Sequence, residues 1–245
     1  LSIRRQRQMC IRDRRVIILD ADFGLANVEV MFGIIPQYNL GDLMYRGKEI
    51  KDIITQGPEG VGFISGGSGI AKLVNLENEQ IKRLVGKLSE LEDYADVIII
   101  DTGAGISPAV MEFLTASPET ILVTTPEPTS ITDSYSLLKA LSMNENFDPN
   151  YSKIRMIANR VSSEQEGRKV HEKLNAVVTR FLNIDMEYLG TILYDESVNK
   201  AVMKQRPVSL MYPNSNAAHC YAKIVDALED GNRLTSYSVI IISLS

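Results

Sequence analysis

The chain has 245 residues, 44% of them hydrophobic and 23% charged, with a net charge of −5. This is the composition of a globular chain long enough to bury a sizeable core. Two cysteines and two histidines exclude a disulfide framework and a histidine-rich metal centre. No apolar run reaches the ~18 residues of a membrane span and no secretory leader is visible, so a cytoplasmic location is expected.

In chain order, residues 1–15 come first, with six arginines against one acid. They read as a solvated basic arm, foreign to the rest of the chain, and they leave an acidic body that argues against a nucleic-acid surface. Val16-Ile17-Ile18-Leu19 is then an uninterrupted apolar run of strand length, followed by Asp20-Ala21-Asp22-Phe23-Gly24. Val61 to Ile64 is a shorter run ahead of the glycine-rich Ser65-Gly66-Gly67-Ser68-Gly69. Ile81, Leu84, Val85, Leu88 and Leu91 recur at helical spacing. Val97 to Ile100 is a second continuous β-branched run and ends on Asp101-Thr102-Gly103-Ala104-Gly105. Ile121 to Thr124 and Ile154 to Ala158 are two more, followed by Thr125-Pro126-Glu127 and by Asn159-Arg160. Asn144 to Ser152 reads as a surface loop. Val170, Leu174, Val177, Val178 and Phe181 mark another helix, Tyr188 to Ile192 a further strand, and Tyr194 to Asn216 a short helix and a loop. The tail ends in an apolar stretch, Val239 to Leu244. Continuous apolar strands alternating with amphipathic helices predict an α/β fold, a mostly parallel sheet with helices on both faces. Met31, Met111 and Met203 read as core fillers, and His171 as a surface residue on a charged helix.

In such a sheet, ligands bind beyond the carboxyl ends of the strands. An acid there, such as Asp101, suits magnesium, which takes hard oxygen ligands and keeps several waters. The same acid can equally cap the next helix. Gly103 and Gly105 let backbone N–H groups approach a phosphate. Asp20 and Asp22 form a second acidic pair, and a carboxylate at such a place can orient an attacking water. The Ser65 to Gly69 stretch reads as a turn after a strand. A phosphate-gripping loop of the form G-x-x-x-x-G-K-[ST] is not found: Gly47-Lys48 precedes Glu49 and Gly86-Lys87 precedes Leu88.

The strings VIILDADFGLANVEVMFG, FISGGSGI, IIIIDTGAGIS, TPEPTSITDSYSLLKAL and ANRV occur in that order. Together they resemble the MinD/ParA superfamily of deviant-Walker P-loop ATPases. Within it, YNLGDLMYRGKEIKDIITQGPEGVGFISGGSGI is most similar to the flagellar-number regulators, the FlhG/FleN group. The resemblance spans about Val16 to Asp230. It implies an ATP- and Mg2+-dependent switch that forms a homodimer and regulates flagellum number or placement. It also implies Asp22 as the water-orienting acid with Asp20 beside it, and Asp101 as the Walker B acid acting on magnesium through water. Gly105 would lie near the γ-phosphate with Gly103 close by, and Asn159, followed by Arg160, at the adenine edge. Asn27 falls in the dimer-facing stretch, and Asp133 matches an acid of the resting state. Adenine also agrees with the absence of Asn-Lys-x-Asp after the strand, since an Asn amide pairs both ways with an adenine edge.

The same resemblance sets expectations that this sequence does not meet. Relatives begin with a strand, then K-G-G-x-G-K-[ST], then a helix, and nothing in Leu1 to Arg15 matches that unit. The chain therefore reads as a basic arm at 1–15, a truncated ATPase domain at 16–230 and a tail at 231–245. Two strands are expected to lack a neighbour, with poor solubility as the consequence, and catalysis by the chain as given is not expected. Implied partners are a second copy, a signal-recognition-type flagellar GTPase and flagellar switch proteins. Peripheral binding at the inner face of the membrane would need a basic amphipathic helix, and Val239 to Leu244 has no basic face. Two other classes remain: a non-catalytic pseudo-ATPase that serves as an interaction module, and a nucleic-acid binder acting through the arginine-rich start.

Overall fold

The computed structural model describes residues 14–23, 27–67, 73, 76–231 and 238–244. They divide into two compact units, one within Leu1–Asp101 and Leu234–Val239, the other within Thr102–Arg233 and Ile240–Ser245.

The first unit holds β1 (Val16–Asp20), α1 (Val28–Phe32), α2 (Leu40–Tyr45), β2 (Thr55–Gln56), β3 (Gly62–Ile64), α3 (Asn78–Leu88) and most of β4 (Val97–Thr102). β1 pairs in parallel with both β3 and β4, and β2 adds an antiparallel edge to β3. Because β1 lies between two strands, its run of aliphatic residues needs no polar face, and Ile17 and Leu19 are buried. α3 turns its i, i+3, i+7 positions Ile81, Leu84 and Leu88 inward, and a following 3-10 turn adds Leu91.

The second unit holds α4 (Pro108–Ala116), β5 (Glu119–Thr124), α5 (Pro128–Ser142), β6 (Lys153–Val161), α6 (Glu164–Leu182), β7 (Met186–Leu193), α7 (Glu196–Val202), α8 (Val208–Met211), α9 (Asn216–Gly231) and most of β8 (Ser238–Leu244). Here β8, β5, β6 and β7 pair in parallel, in that order. All six residues of β5 are buried. α6 packs on β6 and β7, and α9 on β7. These are the strand–helix alternation and the parallel pairing expected of the α/β class.

The structure departs from the sequence reading in four places. The apolar tail is a strand: β8 registers Glu119 against Ile240 through Val123 against Leu244, so β5 has a neighbour on both sides rather than an open edge. Val177 and Phe181 stand exposed on α6, because the buried stripe is Val170, Leu174 and Val178 at a strict four-residue spacing and the other two fall beside it. Met203 is 83% exposed and Met31 is also outside the core, so neither fills a gap in it. His171 is half-buried, with Nε2 2.7 Å from the Met186 carbonyl, and ties α6 to β7.

At the amino end of β6, Arg155 is 2% exposed and has Glu119 on one neighbouring strand and Glu187 on the other. Its Nη1 lies 2.9 Å from Glu119 Oε1, at ion-pair distance but off the hydrogen-bond axis, and its Nε donates to Glu187 at 3.1 Å. Removing the cation strands a buried carboxylate. Arg155→Ala is expected to cost about 3–5 kcal/mol in urea unfolding, and the double change Arg155→Met with Glu119→Leu to recover most of it.

Candidate nucleotide site

In the first unit the carboxyl ends of three adjacent strands meet. Asp20 ends β1 and pairs in register with Asp101 on β4, while the Ala21 N–H donates to the Asp101 carbonyl at 2.8 Å. Asp20 is 1% exposed. Its Oδ2 accepts from the N–H groups of Asn27 (2.7 Å) and Val28 (3.0 Å), and its Oδ1 from that of Asp22 (3.2 Å). The side chain that stands in the sequence as one of an acidic pair is thus taken up by the backbone. It holds the Asp22 N–H and the first N–H groups of α1, where Asn27 itself supplies no side-chain cap. Asp22 and Asp101 remain half-buried beside it.

The glycine-rich stretch after β3 forms the third side. Gly66 lies so close to β1 that a Cβ there would come within 2.6 Å of the Asp20 carbonyl oxygen, which only glycine permits. Ser65 is buried; its Oγ accepts from the Gly67 N–H and donates to Glu29 Oε2 on α1. This loop and Glu29 join the strand-end arrangement, and pattern reading did not bring them to it. The string Ser-Gly-Gly marked a turn, and nothing in it announced that the turn packs against the acid of another strand.

Three carboxylates at one strand end repel. Burial, then the Asp20 and Asp22 charges, push Asp101 up to about 6. Burial also raises Asp20, against the lowering effect of its three N–H donors. Among the described residues no three acidic, His or Cys side chains close into a metal cage. The donor set suits a hydrated magnesium ion better: one or two hard carboxylate oxygens, with the remaining places left to water and phosphate.

In the second unit, Gly103 and Gly105 follow β4, and Gly105 takes a φ of +97° with open space where a side chain would stand. Ser107 caps α4 by accepting from the Val110 N–H, so the helix-capping role weighed for Asp101 belongs to Ser107 there. Asn159 and Arg160 sit at a register break near the end of β6; Arg160 has a φ of 56°, and its N–H donates to Asn159 Oδ1 at 2.9 Å. That leaves the carboxamide its second lone pair and its Nδ2 donors. At the end of β5, the Thr125 side chain and then the Arg160 charge help hold the Glu127 carboxyl below its usual range. Asp133 is exposed on α5 and is not drawn into this group. A further residue that pattern reading passed over is Asp195 after β7. Its two oxygens accept from the Ser197 and Ala217 N–H groups, joining the first turns of α7 and α9 and keeping its pKa low.

Known proteins resemble the chain in both sequence and fold. The model of the CobQ/CobB/MinD/ParA nucleotide binding domain matches residues 7–208. The chain is 41% identical to the antiactivator FleN of Pseudomonas aeruginosa over 88% of its own length and 76% of that protein. It is 33% identical to the flagellum site-determining protein YlxH of Helicobacter pylori over 82% of its length and 66% of that protein. Among solved structures it is similar in fold to the septum site-determining protein MinD of Pyrococcus horikoshii in complex with Mg-ADP. The TM-score is 0.71 at 21% identity, over 94% of this chain and 86% of that one.

Two substitutions separate scaffold from chemistry. Asp20→Ala leaves three backbone N–H groups without their acceptor and is expected to lower stability by about 3 kcal/mol in urea unfolding. Asp101→Asn should do the opposite. A folded-state pKa of about 6 above an unfolded value of ~4 means that the Asp101 contribution to stability is lost as pH rises through that window. The amide cannot ionise, so the variant is expected to be more stable than the parent at pH 7.5 by about 2 kcal/mol and to show a flatter stability profile between pH 4 and 6. Thermal melts across that range check it.

Proposed function

The chain belongs to the CobQ/CobB/MinD/ParA nucleotide-binding family, and from that premise we propose that its protein is an ATP-dependent, self-associating switch that regulates flagellum number or placement, inactive as these 245 residues, which hold no K-G-G-x-G-K-[ST]. The observation that carries the nucleotide reading is the convergence of Asp20, Asp22 and Asp101 at the ends of two paired strands, with Asp101 raised to about 6. Carboxylates gathered this closely, with one of them hard to ionise, suit a site that receives a cation. The flagellar reading rests on the likeness to the antiactivator and to the flagellum site-determining protein.

In this reading Asp101 holds magnesium through water and Asp22 orients the attacking water, while Asp20 acts through the backbone that it shapes. Bound Mg-ATP supplies the phosphoryl group that is transferred to water. Gly103 and Gly105 offer backbone N–H groups to its phosphates. Asn159 pairs with the adenine edge, with Arg160 beside it. Asn27, exposed at the start of α1, and Asp133 on α5 belong to self-association and switching. Because Asn27 N–H is held by Asp20, a contact made on α1 is mechanically connected to the acidic site. The partners are a second copy of the chain, a signal-recognition-type flagellar GTPase and flagellar switch proteins, met in the cytoplasm or at the inner face of the membrane. No helix among the described residues is long and apolar enough to cross a membrane.

A second reading has one observation in its favour. No Gly-Lys-Ser or Gly-Lys-Thr occurs anywhere in the 245 residues. In this second reading the chain is a non-catalytic interaction module of the same fold.

Calorimetry with Mg-ATP separates the two. The measurement compares this chain with a version in which a strand, K-G-G-x-G-K-[ST] and a helix replace residues 1–15. Binding only by the restored version is the expected result and supports the switch. Absence of binding in both favours the interaction module. In the restored version Asp22→Ala should keep ATP binding and lose turnover by about 100-fold or more. Normal turnover would remove Asp22 from its role.

A further inference from the structure

A second concave site lies in the first unit, apart from the acidic strand ends. Its lining runs from the end of α2 through the following turn to Ile50 on one side, and from Arg83 on α3 to Tyr94 on the other. It encloses about 500 Å³, within the few hundred to ~1,000 Å³ usual for small-molecule sites. Three cations line it: Lys48, Arg83 and Lys87. Among the described residues of this unit, Arg15 is paired with Asp96, Arg46 with Asp42 and Lys51 with Glu49. Among the described residues, Lys48, Arg83 and Lys87 have no ion pair. Lys48 Nζ instead sits 3.9 Å over the Tyr38 ring, which holds the charge in place without neutralising it.

Two carboxylates share the lining, Glu49 and Glu90. Glu49 is already compensated by Lys51 at 2.7 Å. Three cations without an ion pair therefore face a single uncompensated acid, in a chain whose net charge is −5. Arg83 and Lys87 are one helical turn apart, ~6 Å, which sets a planar guanidinium fork and an ammonium beside the same space. A concave wall with an excess of one sign of charge concentrates its counter-ion. Tyr45 and Tyr94, both part-exposed in the lining, add ring faces and hydroxyl groups.

We propose that this cleft is a binding site for a phosphate-bearing small molecule, held by Lys48, Arg83 and Lys87, with the tyrosine rings taking the group that carries the phosphate. The site shares no side chain with the acidic strand ends, so it stands or falls independently of the nucleotide reading.

The test is calorimetric titration of the full chain with phenyl phosphate and, separately, with inorganic phosphate at low ionic strength. The expected result is binding of phenyl phosphate with a Kd below about 1 mM. The double variant Arg83→Glu/Lys87→Glu should weaken it at least tenfold, since each charge-assisted contact is worth more than the ~1.4 kcal/mol that a factor of ten requires. Lys82→Glu, on the same helix but outside the lining, should stay within about twofold. Tyr45→Ala should weaken phenyl phosphate and leave inorganic phosphate unchanged. That outcome assigns the site to a phosphate ester, whereas equal affinities for both probes assign it to the free anion. Melting curves of all variants verify that these surface changes leave the chain folded. Failure of the parent chain to bind either probe at about 10 mM overturns the proposal, as does an equal loss in Lys82→Glu.

Discussion

The buried carboxylate of Asp20 is the contact on which the first unit depends. Backbone N–H groups that leave water must find an acceptor, and an unmet donor costs as much as a lost hydrogen bond. One carboxylate meets three of them. In doing so it determines where Asp22 lies, where α1 begins and which way Asn27 faces. The Asp20 carbonyl on the same residue sets how closely the Ser65–Gly67 loop can approach. Three segments of chain are thereby arranged around a group whose own ionisation is disfavoured by its burial.

That arrangement is costly to keep charged. Asp101 lies across the strand pair from Asp20 and is half-buried, so burial and then the Asp20 charge raise the cost of ionising it. A core optimised for stability alone would place an apolar or amide side chain there. Natural sites retain such local conflicts where a ligand relieves them, and give up stability for being ready to bind. The second unit shows the contrasting use of charge. Arg155 and Glu119 are also buried on neighbouring strands, but with opposite signs and at contact distance, so that pair serves packing and leaves no place for a cation.

β8 illustrates what a sheet demands regardless of sequence ancestry. β5 is buried along its whole length, and an interior strand cannot leave one row of N–H and C=O groups unmet. A short, β-branched, uncharged segment is a suitable partner, and Ser238–Leu244 supplies it in parallel register, with Ile240 and Ile241 buried. The Thr102 hydroxyl adds a bond to the Ile242 carbonyl. Composition alone made this segment a tail too short to span a membrane; pairing made it a core strand.

Local chemistry by itself determined the class of fold and the places to look. Runs such as Val97–Ile100 and Ile121–Thr124 have no polar face, and only a strand covered on both sides tolerates that. The acids and glycines that follow such runs fall at the ends of strands because the runs end there. The helical spacing of Ile81, Leu84 and Leu88 likewise needs no partner to be read. What tertiary structure decided was the use of each group. Asp20 and Asp22 look alike in sequence, yet it is Asp20 whose carboxylate is consumed by backbone donors from seven and eight residues ahead. Glu29 meets Ser65 from 36 residues away, and Lys48 shares a cleft with Arg83 and Lys87 across another such gap. These contacts join segments distant along the chain, and no periodicity encodes them, because the energy that selects them comes from which surfaces become adjacent once the sheet has formed.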